Sequence, residues 1–388
     1  MFSTRTDWDL QPSPLYSLLQ QKRARGEEVL DLTESNPTKC SFTHSSSTLV
    51  DAESLQCSVL YEPDPKGLLS ARQAIAEWYK RQNIDLDPDR IILCSSTSEA
   101  YSFLFRLLCD VGGVVAVPKP SYPLFEYLAR LNDILTHEYR LGYDGEWHID
   151  FSSLEDALCS NAEALILVHP NNPTGSFVKK DEQTRIISEA HARNVPLIVD
   201  EVFSAFSFAS DERRAGSFAA TDSTLTFTMN GLSKLLGLPQ MKLAWIVVSG
   251  PDEECTKAVQ RLEVIADTYL SVGTVVQQML PRLLINHEAM TEHILTRTRS
   301  NYEFLKAACA DGSPATLLQC EGAWSAVLRL PEKKSDEEWA FEFLQSEGVL
   351  THPGHLFDIE AKSCVVVSLL PEHDLFAEGI RRILGAVE

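Results

Sequence analysis

Between residues 88 and 249 short apolar runs alternate with stretches of helical period, and this alternation constrains the fold more than any other feature. The runs lie at 90–94, 114–117, 164–169, 196–200, 225–229 and 243–249; helical patterns fall at 99–109, 122–131 and 181–194. A strand that is apolar at successive positions buries both faces. Such strands, separated by helices, pack as a mostly parallel sheet covered on both sides. Upstream, the pattern predicts a helix at 15–25, a strand at 29–33, a turn on Asn36-Pro37 and an exposed polar loop at 45–48. YEPDPKG (61–67) then leads into an amphipathic helix at 68–82, with Leu69, Ile75, Ala76 and Tyr79 near one face. From Gly273 a long helical stretch runs to about residue 310, followed by short strands, a turn at 331–337, a helix, a strand at 364–369 and a last helix. The expectation is a large α/β domain and a smaller α+β domain, divided near residue 290.

Composition removes several function classes. With 44% hydrophobic and 23% charged residues, 388 residues can build a sizeable core. A net charge of −21 argues against nucleic acid or an anionic membrane as partner. The nine cysteines are odd in number, form no C-x-x-C pair and often sit in apolar runs, as expected for reduced thiols in a cytoplasmic protein. The first residues contain no apolar signal core, and the longest apolar runs are too short to cross a bilayer.

In an open α/β sheet, ligands bind just past the carboxyl ends of the strands. The run at 90–94 is followed by SSTSEA, whose small hydroxyls open a helix. That is an anion site suited to phosphate, or a plain helix cap with Glu99 as the capping acid. PKPSYP (118–123) places Tyr122 where it can stack on a planar ligand or pack at the rim of the next helix. In HPNNPTG (169–175), Asn172 either offers a fixed amide or belongs to an ordinary rigid turn. The run PLIVD ends on Asp200, followed at once by Glu201. A carboxylate at the end of a central strand needs a cation or hydrogen-bond donors, and the protonated ring nitrogen of pyridoxal phosphate is one such partner. Finally, Lys234 lies in NGLSKLLGLPQMKLAW (230–245), between two apolar runs. A lysine held in such a loop with a lowered pKa can form a Schiff base; the plain alternative is a solvated loop lysine. There is no G-x-G-x-x-G after the first strand, no G-x-x-x-x-G-K-[ST], and no metal-ligand spacing: His352 and His355 are separated by a Pro-Gly turn.

Taken in this order, Tyr61 with Gly67, SSTSEA, PSYP, NNPTG, DEVF and LSK with a second lysine eight residues on resemble the class I/II aminotransferases of the fold-type I pyridoxal-phosphate superfamily, over roughly 28–385. The resemblance implies a large cofactor-binding domain at 50–290. It gives the smaller α+β domain to an N-terminal arm within 1–49 together with 291–388. It implies that Lys234 carries the internal aldimine and shuttles the substrate proton, that Asp200 pairs with the pyridinium nitrogen, and that Asn172 bonds the phenolic oxygen. Tyr122 would stack on the ring, with Phe203 beside it. Ser96, Thr97, Ser98, Ser233 and Lys242 would bind phosphate, and Tyr61 would reach the phosphate of a neighbouring subunit in a homodimer with shared sites. It further implies cis peptide bonds before Pro120 and Pro173.

Four positions depart from the family pattern. Phe203 replaces a tyrosine, so the phenolic oxygen loses a donor and the aldimine pKa is expected to rise. Lys242 replaces an arginine, keeping the charge without the bidentate fork. Gly231 replaces a serine, for which Ser233 or Asn230 would compensate. Val366 stands where the family has the arginine that grips the substrate carboxylate, leaving Asn36, Arg297, Arg299 and His355 as candidates for that task. The function implied is transfer of an amino group from an amino acid to a 2-oxo acid by a ping-pong mechanism. A lyase, cyclase or oxidase with the same cofactor is the alternative that Val366 and Phe203 favour. A non-catalytic cofactor-binding regulator lacks the basic extension that DNA would require.

Overall fold

A computed structural model describes residues 1–42, 61–310 and 312–387. Its centre is an eight-stranded sheet in the order β2-β9-β8-β7-β6-β3-β4-β5. These strands are β2 (Ile91–Cys94), β3 (Val114–Lys119), β4 (Leu135–Tyr143), β5 (Trp147–Ile149), β6 (Ala162–Val168), β7 (Leu197–Asp200), β8 (Thr226–Gly231) and β9 (Ala244–Ser249). β3 pairs in parallel with β4 and β6, β6 with β7, and β7 with β8. The flanks are antiparallel, β9 against β8 and β2, and β5 against β4. Both faces are buried. On β7, Ile198 packs with Ile166, Phe227 and Ile246, whereas Leu197 and Val199 face the opposite way onto Leu165, Leu167 and Phe218.

The six expected strands and the helices Leu69–Lys80, Thr97–Leu108, Phe125–Leu131 and Lys180–Arg193 are present within a few residues of the expected limits. On the first of these helices the buried face carries Ala71, Ile75, Trp78 and Tyr79, while Leu69 is exposed. β4 and β5 escaped the reading because LTHEYRLGY lies near the sheet edge with polar residues in both registers and forms no apolar run. The helix Asp252–Tyr269 was legible but missed: Cys255, Ala258, Leu262 and Ala266 are buried at helical spacing behind a triply acidic first turn. The expected long helix is two, Thr274–Ile285 and His287–Ala308, broken at Asn286. Among the described residues no helix is long and apolar enough to cross a membrane. The expected polar loop at 45–48 lies outside the described residues.

A second sheet, in the order β10-β11-β14-β13, is antiparallel throughout: β10 (Thr316–Leu317), β11 (Ser325–Arg329), β13 (His352–Pro353) and β14 (Cys364–Ser368). The N-terminal strand β1 (Leu30–Asp31) pairs in parallel with β12 (Val349–Leu350), and Ser368 N–H donates to Leu32 O at 2.7 Å. The amino-terminal segment is thereby built into the same smaller layer as the last hundred or so residues.

Pairing direction decides where the strand ends meet. β2 and β8 are both antiparallel to β9, so their carboxyl ends lie on the same edge as those of β3, β6 and β7. The registers Val168↔Asp200, Asp200↔Met229, Gly231↔Ala244 and Cys94↔Ala244 tie that edge together.

Candidate active site

Asp200 is the last residue of β7 and is almost fully buried. Its carboxylate accepts from Val202 N–H at 3.1 Å and from the Tyr101 hydroxyl at 3.3 Å. Burial pushes its pKa up to about 6, against these two bonds and the charge of Lys234. Lys234 sits in the short helix Leu232–Leu235, which begins directly after β8. Burial lowers the pKa of its amine, and Asp200 opposes that shift. The amine lies 5.6 Å from the Phe203 ring centroid and 5.1 Å from that of Trp324. A carboxylate held against its preference for water thus stands beside an amine that gives up its proton more readily than usual. Glu201 turns the other way: its carboxylate accepts from Ser217 Oγ at 2.6 Å and Phe218 N–H at 2.7 Å, and burial pushes it up to about 7.

The start of the helix Thr97–Leu108 lies at the carboxyl end of β2. Ser96 caps it, its hydroxyl oxygen accepting from Glu99 N–H at 3.2 Å while the Glu99 carboxylate takes Ser95 N–H at 2.6 Å. The plain capping account is therefore realised, and it leaves room for the other. The backbone N–H groups of Thr97 and Ser98 have no acceptor among the described residues, and both side chains are half-buried. Lys242, exposed and in the left-handed conformation, lies two residues before Ala244, the partner of Cys94, and its charge lowers the Cys94 thiol's strongly raised pKa. At Gly231 an added Cβ would stand 2.8 Å from Ala244 Cβ and 3.1 Å from Leu243 O, so a serine does not fit here. Ser233 remains half-buried and open. Asn230 does not compensate as expected: its amide donates to Glu201 O at 3.0 Å and its oxygen accepts Gly231 N–H at 2.7 Å.

The loops after β3 and β6 are fastened to one another. Asn171 Nδ2 donates to Pro120 O at 3.2 Å, and its Oδ1 accepts the Thr174 hydroxyl at 2.9 Å. The bonds before Pro120 and Pro173 are cis, as expected, and so is that before Pro170. This leaves the Asn172 amide half-buried and without a hydrogen-bond partner among the described residues. Tyr122, 43% exposed, feels the charge of Asp200. Two neighbours were missed in the sequence. Tyr101 stands four residues beyond the start of the SSTSEA helix and faces inward to Asp200, a direction that helical period alone made legible. Trp324 comes from the smaller layer, far along the chain, and no local signal marks it.

Among the described residues, no hydrogen bond, ion pair or charge interaction links the four carboxylate candidates to Asp200 or Lys234. Asn36 Oδ1 caps the turn Pro37–Lys39, accepting from Thr38 N–H at 3.1 Å. Arg297 donates to Leu370 O at 3.4 Å and lies over the Phe42 ring. His355 bonds Asp336 at 2.9 Å, and Arg299 Nε is covered without a partner among the described residues. Val366 is buried with Trp147, Leu318, Phe357 and Ile359, so apolar contact replaces any cation there. Tyr61 is 77% exposed on a groove shared with Pro63, Gly67, Leu93 and Ser271.

The family described as aminotransferase class I and II matches residues 28–383. The glutamate-pyruvate aminotransferase AlaA of Haemophilus influenzae is 24% identical over 377 residues, 95% of this chain and 93% of that protein. The alanine aminotransferase of Mycobacterium tuberculosis is 24% identical over 379 residues, 95% of this chain and 88% of its own length. Among solved structures, an alanine aminotransferase from Pyrococcus furiosus superposes with a TM-score of 0.90 at 21% identity, covering 100% of this chain and 99% of that one. An Escherichia coli aminotransferase gives 0.89 at 23%, covering 100% and 98%. A carboxylate and an amine at the ends of neighbouring parallel strands, a capped helix start beside them and a match along nearly the whole length lead to one assignment: the chain belongs to the class I and II aminotransferases.

Proposed function

We propose that this protein is a pyridoxal-phosphate-dependent aminotransferase that moves an amino group from an amino acid to a 2-oxo acid in two half-reactions, with Lys234 as its catalytic residue. The observation that carries the reading is the pairing of Asp200 with Lys234. Asp200 is a covered carboxylate with two hydrogen bonds and, among the described residues, no cation but Lys234 acting on it, and Lys234 is an amine whose pKa burial lowers. The donor set fits the cofactor. Asp200 is placed to hold a proton on a pyridine nitrogen, and Asn172 has a free amide for a phenolic oxygen. The N–H groups of Thr97 and Ser98, with Ser96, Ser233 and the ammonium of Lys242, suit a phosphate. Pyridoxal phosphate supplies, when bound, an aldehyde that takes up amines and a ring that withdraws electrons from the amine's carbon.

Within that setting each side chain has a defined task. Lys234 accepts a proton from the substrate's α carbon and returns it elsewhere, a task that calls for an unprotonated amine and that the lowered pKa of a buried lysine serves. Tyr122 covers one face of a planar ligand. Phe203, having no hydroxyl, keeps water off without donating to the ring. The exposed Tyr61 is available to a second copy of the chain, and a homodimer with shared sites in the cytoplasm is part of the proposal. So is the division at 49/50 and 290/291.

The names of the relatives make glutamate, alanine and pyruvate the first compounds to test. Glutamate or alanine added to the holoenzyme should convert the cofactor's visible absorbance to that of its amine form, and pyruvate should restore it. Lys234→Ala should abolish turnover; a rate equal to the wild type would end the scheme. The apolar surroundings of Val366 keep a lyase, cyclase or oxidase as the second reading. Release of keto acid and ammonia, with no accumulation of the amine form, would favour it.

A further inference from the structure

Asp200 closes the central strand β7, and its carboxylate is bonded at both oxygens. Oδ1 accepts from Val202 N–H, two residues on, at 3.1 Å. The other bond comes from far along the chain: the Tyr101 hydroxyl donates to Oδ2 at 3.3 Å. A carboxylate with one donor can still turn about its Cβ–Cγ bond. Donors on both oxygens fix its plane, and each oxygen keeps a further lone pair for a ligand.

Tyr101 is itself held in place. It is 3% exposed, and its ring meets that of Phe125 edge-on, centroids 5.2 Å apart at 83°, with Phe105 at 5.9 Å on another side. Phe125 opens the helix that follows Tyr122, and Tyr101 stands about one turn beyond Thr97 in the helix capped by Ser96. One side chain therefore joins three parts of the site: the helix start suited to phosphate, the Tyr122 segment and the carboxylate. Burial, and then the charge of Asp200, push the Tyr101 pKa well up, so its hydroxyl stays a donor while Asp200 is ionised. Among the described residues, the titratable groups coupled by charge to Asp200 are Lys234, Glu201, Tyr101 and Tyr122.

We propose that Tyr101 is a positioning residue: its hydroxyl fixes the plane of the Asp200 carboxylate and stabilises its charged form, and so sets how firmly a proton is held on the cofactor's ring nitrogen. This deepens the aminotransferase reading above and rests on it. Tyr101 acts on the reaction through Asp200 alone.

The test uses Tyr101→Phe, which keeps the ring against Phe105 and Phe125 and removes the donor. Cofactor dissociation constants are compared for the wild type, Tyr101→Phe, Asp200→Asn and the double variant. Tyr101→Phe should bind the cofactor about tenfold more weakly, yet make little further difference in the Asp200→Asn background, because the two residues act as a unit. With glutamate and pyruvate, kcat should fall about tenfold while KM stays nearly unchanged. Thermal melts of the apoproteins give a third readout, each read as a difference from its matching Asp200→Asn protein. Without the hydroxyl, the charged form of Asp200 loses a bond and its folded pKa rises further. The stability that its protonated form contributes is then lost up to a pH about one unit above the wild-type value of about 6. Unchanged cofactor affinity, losses that add in the double variant, or melts lowered equally at every pH overturn the proposal and leave the aminotransferase reading intact. That reading fails alone if the affinity pattern is found but neither glutamate nor alanine converts the cofactor to its amine form. A wild type that binds no cofactor overturns both.

Discussion

At Asp200 and Lys234 the two shifts have the same cause and opposite direction: removal from water disfavours charge, so the acid's pKa rises and the base's falls. The sign has a consequence for stability. A carboxyl whose folded pKa is raised from the ordinary value near 4 to about 6 contributes stability that is complete below the lower value and lost as pH rises through the higher. Thermal melts of the apoprotein should therefore show the wild type losing stability relative to Asp200→Asn between about pH 4 and pH 6. Equal pH slopes would show that Asp200 is not strained by burial. With cofactor bound, the difference should shrink, since a protonated ring nitrogen compensates the carboxylate. Phe203 carries a second prediction. Restoring a hydroxyl in Phe203→Tyr gives an anionic phenolic oxygen a donor, so the pH at which the bound cofactor's absorbance changes should fall by about one to two units. If the two proteins titrate alike, the Phe203 ring does not stand against that oxygen.

Among the elements, the helix Thr97–Leu108 has a cap that serves both fold and ligand. Ser96→Ala should cost about 1 kcal/mol in denaturant unfolding of the apoprotein, through loss of the bond to Glu99 N–H. It should also weaken phosphate binding. The β8–β9 pair carries a steric prediction. A serine at position 231 would press its Cβ on Ala244, so Gly231→Ser should destabilise by about 1–3 kcal/mol, and Ala244→Gly added to it should recover much of the loss. Additive losses in that double-mutant comparison would mean that the contact is relieved by some other shift. The strands of this layer were legible because double-sided burial writes itself as unbroken apolar runs. The β4–β5 edge was not, because an edge strand with mixed burial resembles a loop in composition.

Across the whole molecule, the two layers are joined by buried charge. Glu321, in the smaller layer, holds Lys179 and Arg214 of the larger one, all three side chains being nearly covered. Glu321→Gln leaves two cations short of a counter-charge and should destabilise the apoprotein by about 3–5 kcal/mol. A loss under about 1 kcal/mol would place these groups in contact with water. The sequence by itself determined the parallel layer, its strand ends and the residues there whose chemistry is local: Asp200 closing an apolar strand, a hydroxyl run opening a helix, a lysine between two buried strands. These were legible because period, capping and the cost of a buried carboxylate act over a few residues. Tertiary structure alone decided that β9 runs antiparallel between β2 and β8, bringing all those ends to one edge. It also joined β1 to β12, filled the space at Val366 with apolar side chains and brought Trp324 from the second layer to face Lys234. Those contacts join residues far apart in the chain, and no short-range pattern carries them.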